Sequence, residues 1–140
     1  MKVRDIMSSD VVSVDVSAKI PEIASKMKVN GIGSVPVLSQ GRVVGIITDR
    51  DIVLRVIADN KDINTVTAEQ IMTDDPVCIE ESSSLDRAAE IMGEYQIKRL
   101  PVLNKGRLVG IITLGDLAIE QIHIDEAGEA LNQISRGISH

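Results

Sequence analysis

Along the chain, apolar and polar positions follow one pattern that is written twice, 65 positions apart. Residues 6–57 lie over 71–122 without a gap. More than a third of the aligned positions are identical, and several of the others exchange Ile, Val, Leu or Ala. Agreement over that length identifies an internal duplication, and a single doubling implies two supersecondary units, not a long solenoid.

Each unit opens with a short lead, Val3-Arg4-Asp5-Ile6-Met7 or Glu69-Gln70-Ile71-Met72. A first strand is predicted near Val11–Val14 and near Val77–Ile79. A helix follows, with Ser17 and Ser82 where an N-cap belongs. Ile20, Ile23, Ala24 and Met27 in one copy, and Leu85, Ala88, Ala89 and Met92 in the other, give an i, i+3, i+4, i+7 stripe. Pro21 falls in the first turn, where proline does least harm. Next, Val35-Pro36-Val37-Leu38 and Val43 to Ile47 read as strands joined by Ser39-Gln40-Gly41-Arg42. In the second copy Leu100-Pro101-Val102-Leu103 and Leu108 to Ile112 flank Asn104-Lys105-Gly106-Arg107. A short glycine-containing connection between two apolar runs signals a hairpin. The internal proline restricts each first strand to an edge or to a place where no N–H is needed. A second helix is predicted from Thr48, carrying Ile52, Val53, Val56 and Ile57, and from Thr113, carrying Leu117, Ala118 and Ile122.

The expected fold class is α/β (α+β), with two β-α-β-β-α repeats at 1–60 and 66–122 and a linker over about 58–68. A unit of about 50 residues buries little surface alone, so the two are expected to pack through their sheets about a pseudo-two-fold axis. Residues 123–140 read as a C-terminal helical extension, with Ala127, Ala130, Leu131, Ile134 and Ile138 as its stripe and Gly137 as its stop.

Composition narrows the function classes. Phe and Trp are absent and Tyr95 is the one aromatic residue, so the core is aliphatic and stacking platforms for single-stranded nucleic acid are missing. A formal net charge of −6 gives no basic face for phosphate backbones. No apolar run is long enough to span a membrane, and Met1 to Met7 does not read as a signal peptide. Cys78 alone cannot form an internal disulfide, which fits a reducing cytoplasm; it aligns with Ser13 in a predicted strand and reads as a small buried side chain. His123 and His140 have no cluster of ligands at metal spacing. No Ser or Cys nucleophile has a nearby histidine base, so an enzyme is not expected. Asp74-Asp75 and Glu80-Glu81 read as solvated turns, and Lys26 and Lys28 as an outer helix face.

The candidate chemistry sits where Gly45-Ile46-Ile47-Thr48-Asp49-Arg50-Asp51 is repeated as Gly110-Ile111-Ile112-Thr113-Leu114-Gly115-Asp116. Each copy is a branched apolar strand delivering Thr, and Asp three residues on, to the start of a helix. The spacing fits a capping box, in which hydroxyl and carboxylate satisfy free backbone N–H groups. It fits a ligand site equally. Three features favour a site: the pair recurs, Gly45 and Gly110 permit close backbone approach just upstream, and the flanking side chains are apolar. A carboxylate beside a hydroxyl suits a ribose diol, and Ile and Val methyl groups suit the face of a purine.

The doubled Gly–Thr–Asp pattern, each copy preceded by an apolar-Pro-Val hairpin, resembles a tandem pair of CBS (cystathionine β-synthase) domains, or Bateman module, across residues 1–122. The resemblance implies a regulatory module that needs no cofactor and binds adenosine derivatives such as AMP, ADP, ATP, NAD or S-adenosylmethionine in clefts between the repeats. It also implies a flat homodimer. Carried over to this chain, one cleft combines Ile46, Thr48 and Asp51 with Met72, Val77, Ile97, Lys98 and Arg99. The other combines Ile111, Thr113 and Asp116 with Met7, Val12, Ile32, Gly33 and Ser34. Lys98 and Arg99 give the first cleft two cations for phosphate, and Gly33 and Ser34 give the second none. The first is therefore expected to prefer AMP or ADP, and the second to bind more weakly or to take a nucleoside.

Two departures bear on the second site: Glu120 stands where the first repeat has Arg55, and Gly115 lowers helix propensity in its first turn. Arg55 itself reads either as a solvated helix face or as a phosphate contact. Competing with nucleotide sensing is a ligand-free dimerisation or scaffold module, with Thr and Asp acting only as caps. A third possibility is an accessory subunit of an enzyme, transporter or transcription factor, acting through Ile124–Ile138. In each case output is expected to pass through another molecule.

Overall fold

The structure, a computed structural model, describes residues 1–122. The first repeat runs α1 (Val3–Ile6), β1 (Val14–Asp15), α2 (Ile20–Asn30), β2 (Ser34–Ser39), β3 (Arg42–Thr48) and α3 (Asp49–Ile52), which continues as a π-helical turn, Val53–Ile57. The second runs α4 (Ala68–Ile71), β4 (Thr73–Asp74), β5 (Ile79–Glu80), α5 (Leu85–Tyr95), β6 (Arg99–Asn104) and β7 (Arg107–Thr113). A last helix begins at 114 and is described as far as 122. The predicted extension over 123–140, with His123 and His140, lies outside the described residues.

The hairpins are tighter than the sequence suggested. Two residues turn each one: Gln40 and Gly41 have φ of 53° and 81°, and Lys105 and Gly106 have 52° and 84°. Positive φ at both central positions is the type I′ geometry that matches strand twist, and glycine accepts it without a Cβ penalty. β2 pairs antiparallel with β3 and parallel with β1, whose pairing begins at Val37, one residue past Pro36. Pro101 repeats this arrangement before Val102. The strands of the two repeats join into one seven-stranded sheet through Arg42 of β3 and Arg107 of β7.

Some predicted boundaries move. The first strands are only two residues long and lie later than expected, at Val14–Asp15 and Ile79–Glu80. Ser17 is not the N-cap: its N–H donates to Asp15 Oδ2 at 3.0 Å, and α2 starts from Lys19. Ser84, not Ser82, caps α5, accepting from Arg87 N at 3.1 Å. The helices are also rotated slightly from the predicted stripe, so Ala24 and Ala89 are exposed while Ile23, Met27, Ile91 and Met92 are buried. Lys26 is not simply solvated, since its Nζ donates to the Ser13 carbonyl at 2.9 Å.

The leads produce the largest departure, because each packs into the other repeat. Val66, Ala68 and Ile71 belong to the core that holds Val14, Ile23, Val35 and Ile47. Val3 belongs to the core of Ile79, Ala88, Leu100 and Ile112, with Ile6 and Met7 packed against it. Matching hydrogen bonds fix the exchange: Val3 N donates to Ser83 O at 2.8 Å, and Ala68 N donates to Ala18 O at 2.8 Å. β4 then pairs with β3 at Ile46 and Thr73, and Ser8 bridges Ile111 at the equivalent place. The upstream glycines permit this contact. A Cβ on Gly45 would stand 3.0 Å from Met72 Cβ, and one on Gly110 would stand 2.9 Å from the Ser8 carbonyl oxygen.

Ile71 is 1% exposed, within the first repeat's core although it belongs to the second repeat's sequence. Truncating a buried isoleucine removes its transfer free energy and leaves a cavity. Ile71→Ala is therefore expected to cost about 2–5 kcal/mol, read from urea denaturation, and to lower both repeats in one transition. Separate transitions, with the first repeat unaffected, would contradict the exchanged core.

Candidate functional site

The strand–helix junctions hold the repeated Thr and Asp in one arrangement. Thr48 Oγ1 accepts from Asp51 N at 3.1 Å, and Asp51 Oδ2 accepts from Thr48 N at 2.9 Å. Thr113 and Asp116 make the same pair of bonds, at 3.1 and 2.9 Å. The capping box is thus closed in both repeats, and each carboxylate spends one oxygen on it. The second oxygen of Asp51 faces Arg55 Nε at 3.8 Å. The arginine is half exposed and the contact is long, so the pair adds little. Arg55 also donates to the Ile71 carbonyl at 3.0 Å, tying the π-helical turn to α4. It is a bridge between repeats, neither a purely solvated group nor a cleft residue.

Asp51 opens into a cleft of about 520 Å³ between the repeats. Of the residues expected there, Ile46, Thr48, Asp51, Val77, Ile97, Lys98 and Arg99 all line it. Met72 does not: its side chain is turned under Gly45. Sequence reasoning missed Thr73, Asp75, Pro76 and Gln96 on this lining. The first three follow from the pairing of β4 with β3, which no local pattern announced. Gln96 ends α5 with φ 54° in the left-handed region, as Gly31 ends α2 with φ 62°, so the alignment with Gly31 was the available signal.

Asp116 borders a second cleft, of about 260 Å³. Val12, Ile32, Ile111, Thr113 and Asp116 line it as expected, joined by Ser8, Asp10, Asn30 and Arg99. Met7 lies beneath Gly110, and Ser34 lines the larger cleft instead. Gly33 lies off the lining, and a Cβ there would meet the Asp49 carboxylate at 2.8 Å. The position equivalent to Lys98 therefore has a carboxylate beside it where the larger cleft has an ammonium. Charge thus separates two sites of common backbone design. The larger combines two cations with Asp51 and Asp75, whereas the smaller has Asp10 and Asp116 with Arg99 alone.

Among the described residues no group of three or more His, Cys, Asp or Glu side chains could hold a metal ion. No described helix is long and apolar enough to cross a membrane. Cys78 is half-buried and donates to the Pro76 carbonyl at 3.4 Å. Burial pushes its thiol up to about 11, so little thiolate is present near neutrality. Alkylation by iodoacetamide at pH 8 is expected to run roughly 100-fold slower than for an unperturbed cysteine, since the thiolate is the nucleophile. The rate should still be climbing at pH 10. A plateau near pH 9 would contradict the buried setting.

The CBS domain family model matches twice, over residues 3–58 and 68–123. The chain is 41% identical over 138 residues to the CBS domain-containing protein YhcV of Bacillus subtilis (strain 168), covering 99% of this chain and 98% of that one. Among solved structures, Hypoxic Response Protein I with two coordinated zinc ions superposes with a TM-score of 0.78 at 34% identity, covering 84% of this chain and 97% of that one. The CBS domain pair of protein MJ0100, solved in complex with 5′-methylthioadenosine and S-adenosyl-L-methionine, gives a TM-score of 0.73 at 31% identity, covering 90% and 98%.

Proposed function

This chain belongs to the CBS domain family, and on that footing we propose that it is a non-enzymatic, cytoplasmic regulatory module that binds adenosine nucleotides between its repeats. AMP or ADP is the proposed ligand of the larger cleft, ahead of ATP, NAD or S-adenosylmethionine. The observation that carries this reading is the placement of Asp51, with one oxygen beyond its cap, in the same cleft as Lys98 and Arg99. A carboxylate can accept from both hydroxyls of a ribose, and the two cations suit one or two phosphates. Ile46, Val77 and Ile97 supply the apolar surface for a base. The adenosine compounds held by the 31% identical MJ0100 pair support the same ligand class.

The smaller cleft, with two carboxylates and one cation, suits an uncharged or cationic adenosine derivative. Output is proposed to pass to a partner, and the working form is proposed to be a homodimer. Leu54 and Ile57 of the first repeat and Ile119 and Ile122 of the second occupy equivalent positions, and each is about half exposed. Such an apolar set suits contact with a second copy. The closed capping boxes favour a second reading, a ligand-free scaffold in which Thr and Asp act only on their helices.

Titration calorimetry and thermal shift with AMP, ADP, ATP, NAD and S-adenosylmethionine separate the two, because a ligand that binds only the native state raises its midpoint. AMP at about 100 times its dissociation constant should add about 2.7 kcal/mol. Asp51→Asn keeps an acceptor for Thr48 N–H while removing the charge. It should weaken AMP binding by roughly 10–100-fold, the value of a hydrogen bond to a charged group. Asp116→Asn should leave the tighter step unchanged. If Asp51→Asn binds AMP as the parent does while Asp116→Asn abolishes binding, the assignment of clefts is wrong. No shift with any of the five ligands would leave the scaffold.

A further inference from the structure

Among the described residues, Arg99 is the one that lines both clefts. It opens β6 and pairs across to Thr113 of β7, the capping threonine of the smaller site. Its equivalent in the first repeat, Ser34, pairs with Thr48 and borders the larger cleft alone. The duplicated fold thus brings two equivalent positions to the boundary between the sites and places a cation at only one of them. No hydrogen bond or ion pair joins the Arg99 side chain to another described residue, so no competing partner holds it to either cleft.

We propose that Arg99 couples the two clefts by charge, so that a phosphorylated nucleotide in the larger cleft weakens binding of a second anionic nucleotide in the smaller. The inference rests on the nucleotide reading of the clefts and adds how they regulate one another. A guanidinium engaged by phosphate on one side has fewer donors, and less uncompensated charge, to offer on the other. Withdrawn toward the larger cleft, it leaves Asp10 and Asp116 facing the smaller one without a compensating cation. An anion entering there then meets like charges, whereas an uncharged nucleoside does not. Two occupants of different charge, a phosphorylated nucleotide and an unphosphorylated one, are therefore compatible, while two phosphorylated ones compete. By linkage the penalty is reciprocal.

The test is calorimetric titration of the full chain with AMP and, separately, with adenosine. The comparison is between the second binding step of the unaltered protein and the step at the smaller cleft of Asp51→Asn combined with Lys98→Ala, in which the larger cleft loses both its ribose carboxylate and a phosphate cation. AMP should bind the smaller cleft more tightly in that double variant, by a factor within the 5–150-fold usual for coupled sites. Adenosine should show no such difference. In the Arg99→Gln background the AMP difference should vanish, and in Arg99→Lys, which keeps the charge, it should persist in part. Equal AMP affinities for the two steps overturn the coupling and leave nucleotide binding intact. A difference that survives in Arg99→Gln also overturns the role given to Arg99. If neither AMP nor adenosine binds any of these proteins, the nucleotide reading fails and the coupling with it.

Discussion

The exchange of lead segments is the constraint from which the other features follow. Val3 and Ala68 each donate a backbone hydrogen bond into the opposite repeat, and Val3 and Ile71 bury their side chains in cores built mainly from the other half of the sequence. A repeat of this size has a poor ratio of core to surface, and the borrowed apolar residues help each half close its core. The same crossing lays Thr73 alongside β3 and brings Asp75, Pro76 and Val77 to the lining of the larger cleft. Binding surface and folding surface are therefore made by one contact. Glycines at 45 and 110 let the crossing chain approach the strand, with Met72 and Met7 packed against them.

On this frame the two sites share a backbone and differ by a few charges. Both have a Thr–Asp pair closed into a helix cap and an apolar strand leading into it. Capping need not compete with binding, because a carboxylate has acceptor capacity beyond one backbone N–H. It also holds the side chain in one orientation before any ligand arrives, which lowers the ordering cost of binding. What separates the clefts is Lys98 set against Gly33 with the Asp49 carboxylate beside it, while Arg99 lines both.

Much of this was legible in the residues. The internal repeat, the hairpins and the threonine–aspartate junctions are local features with strong signals, namely identity at a fixed offset, a glycine after a polar residue between apolar runs, and a hydroxyl three residues ahead of a carboxylate. What could not be read depends on contacts distant in sequence. The lead segments look like the openings of their own repeats, and nothing local says that Val3 pairs with Ser83. Ser17 resembled an N-cap, yet an adjacent acceptor, Asp15, takes its N–H and the helix starts later. Arg55 seemed to have two fates, and the structure gives it a third, on the Ile71 carbonyl. Ser34 and Arg99 sit near the boundary of the clefts, where membership of one or the other is a matter of packing that no spacing encodes.

The claim on which the functional account stands is that the Asp51 carboxylate and the Lys98–Arg99 pair close on one nucleotide from opposite repeats. A crystal structure of the protein grown with millimolar AMP tests it directly. The account predicts density in the larger cleft, with the ribose hydroxyls on the Asp51 oxygen that the helix cap leaves free and the phosphate within reach of Lys98 and Arg99. Solvent alone in that cleft, with the Asp51 carboxylate still engaged only by its own helix and Arg55, would contradict it.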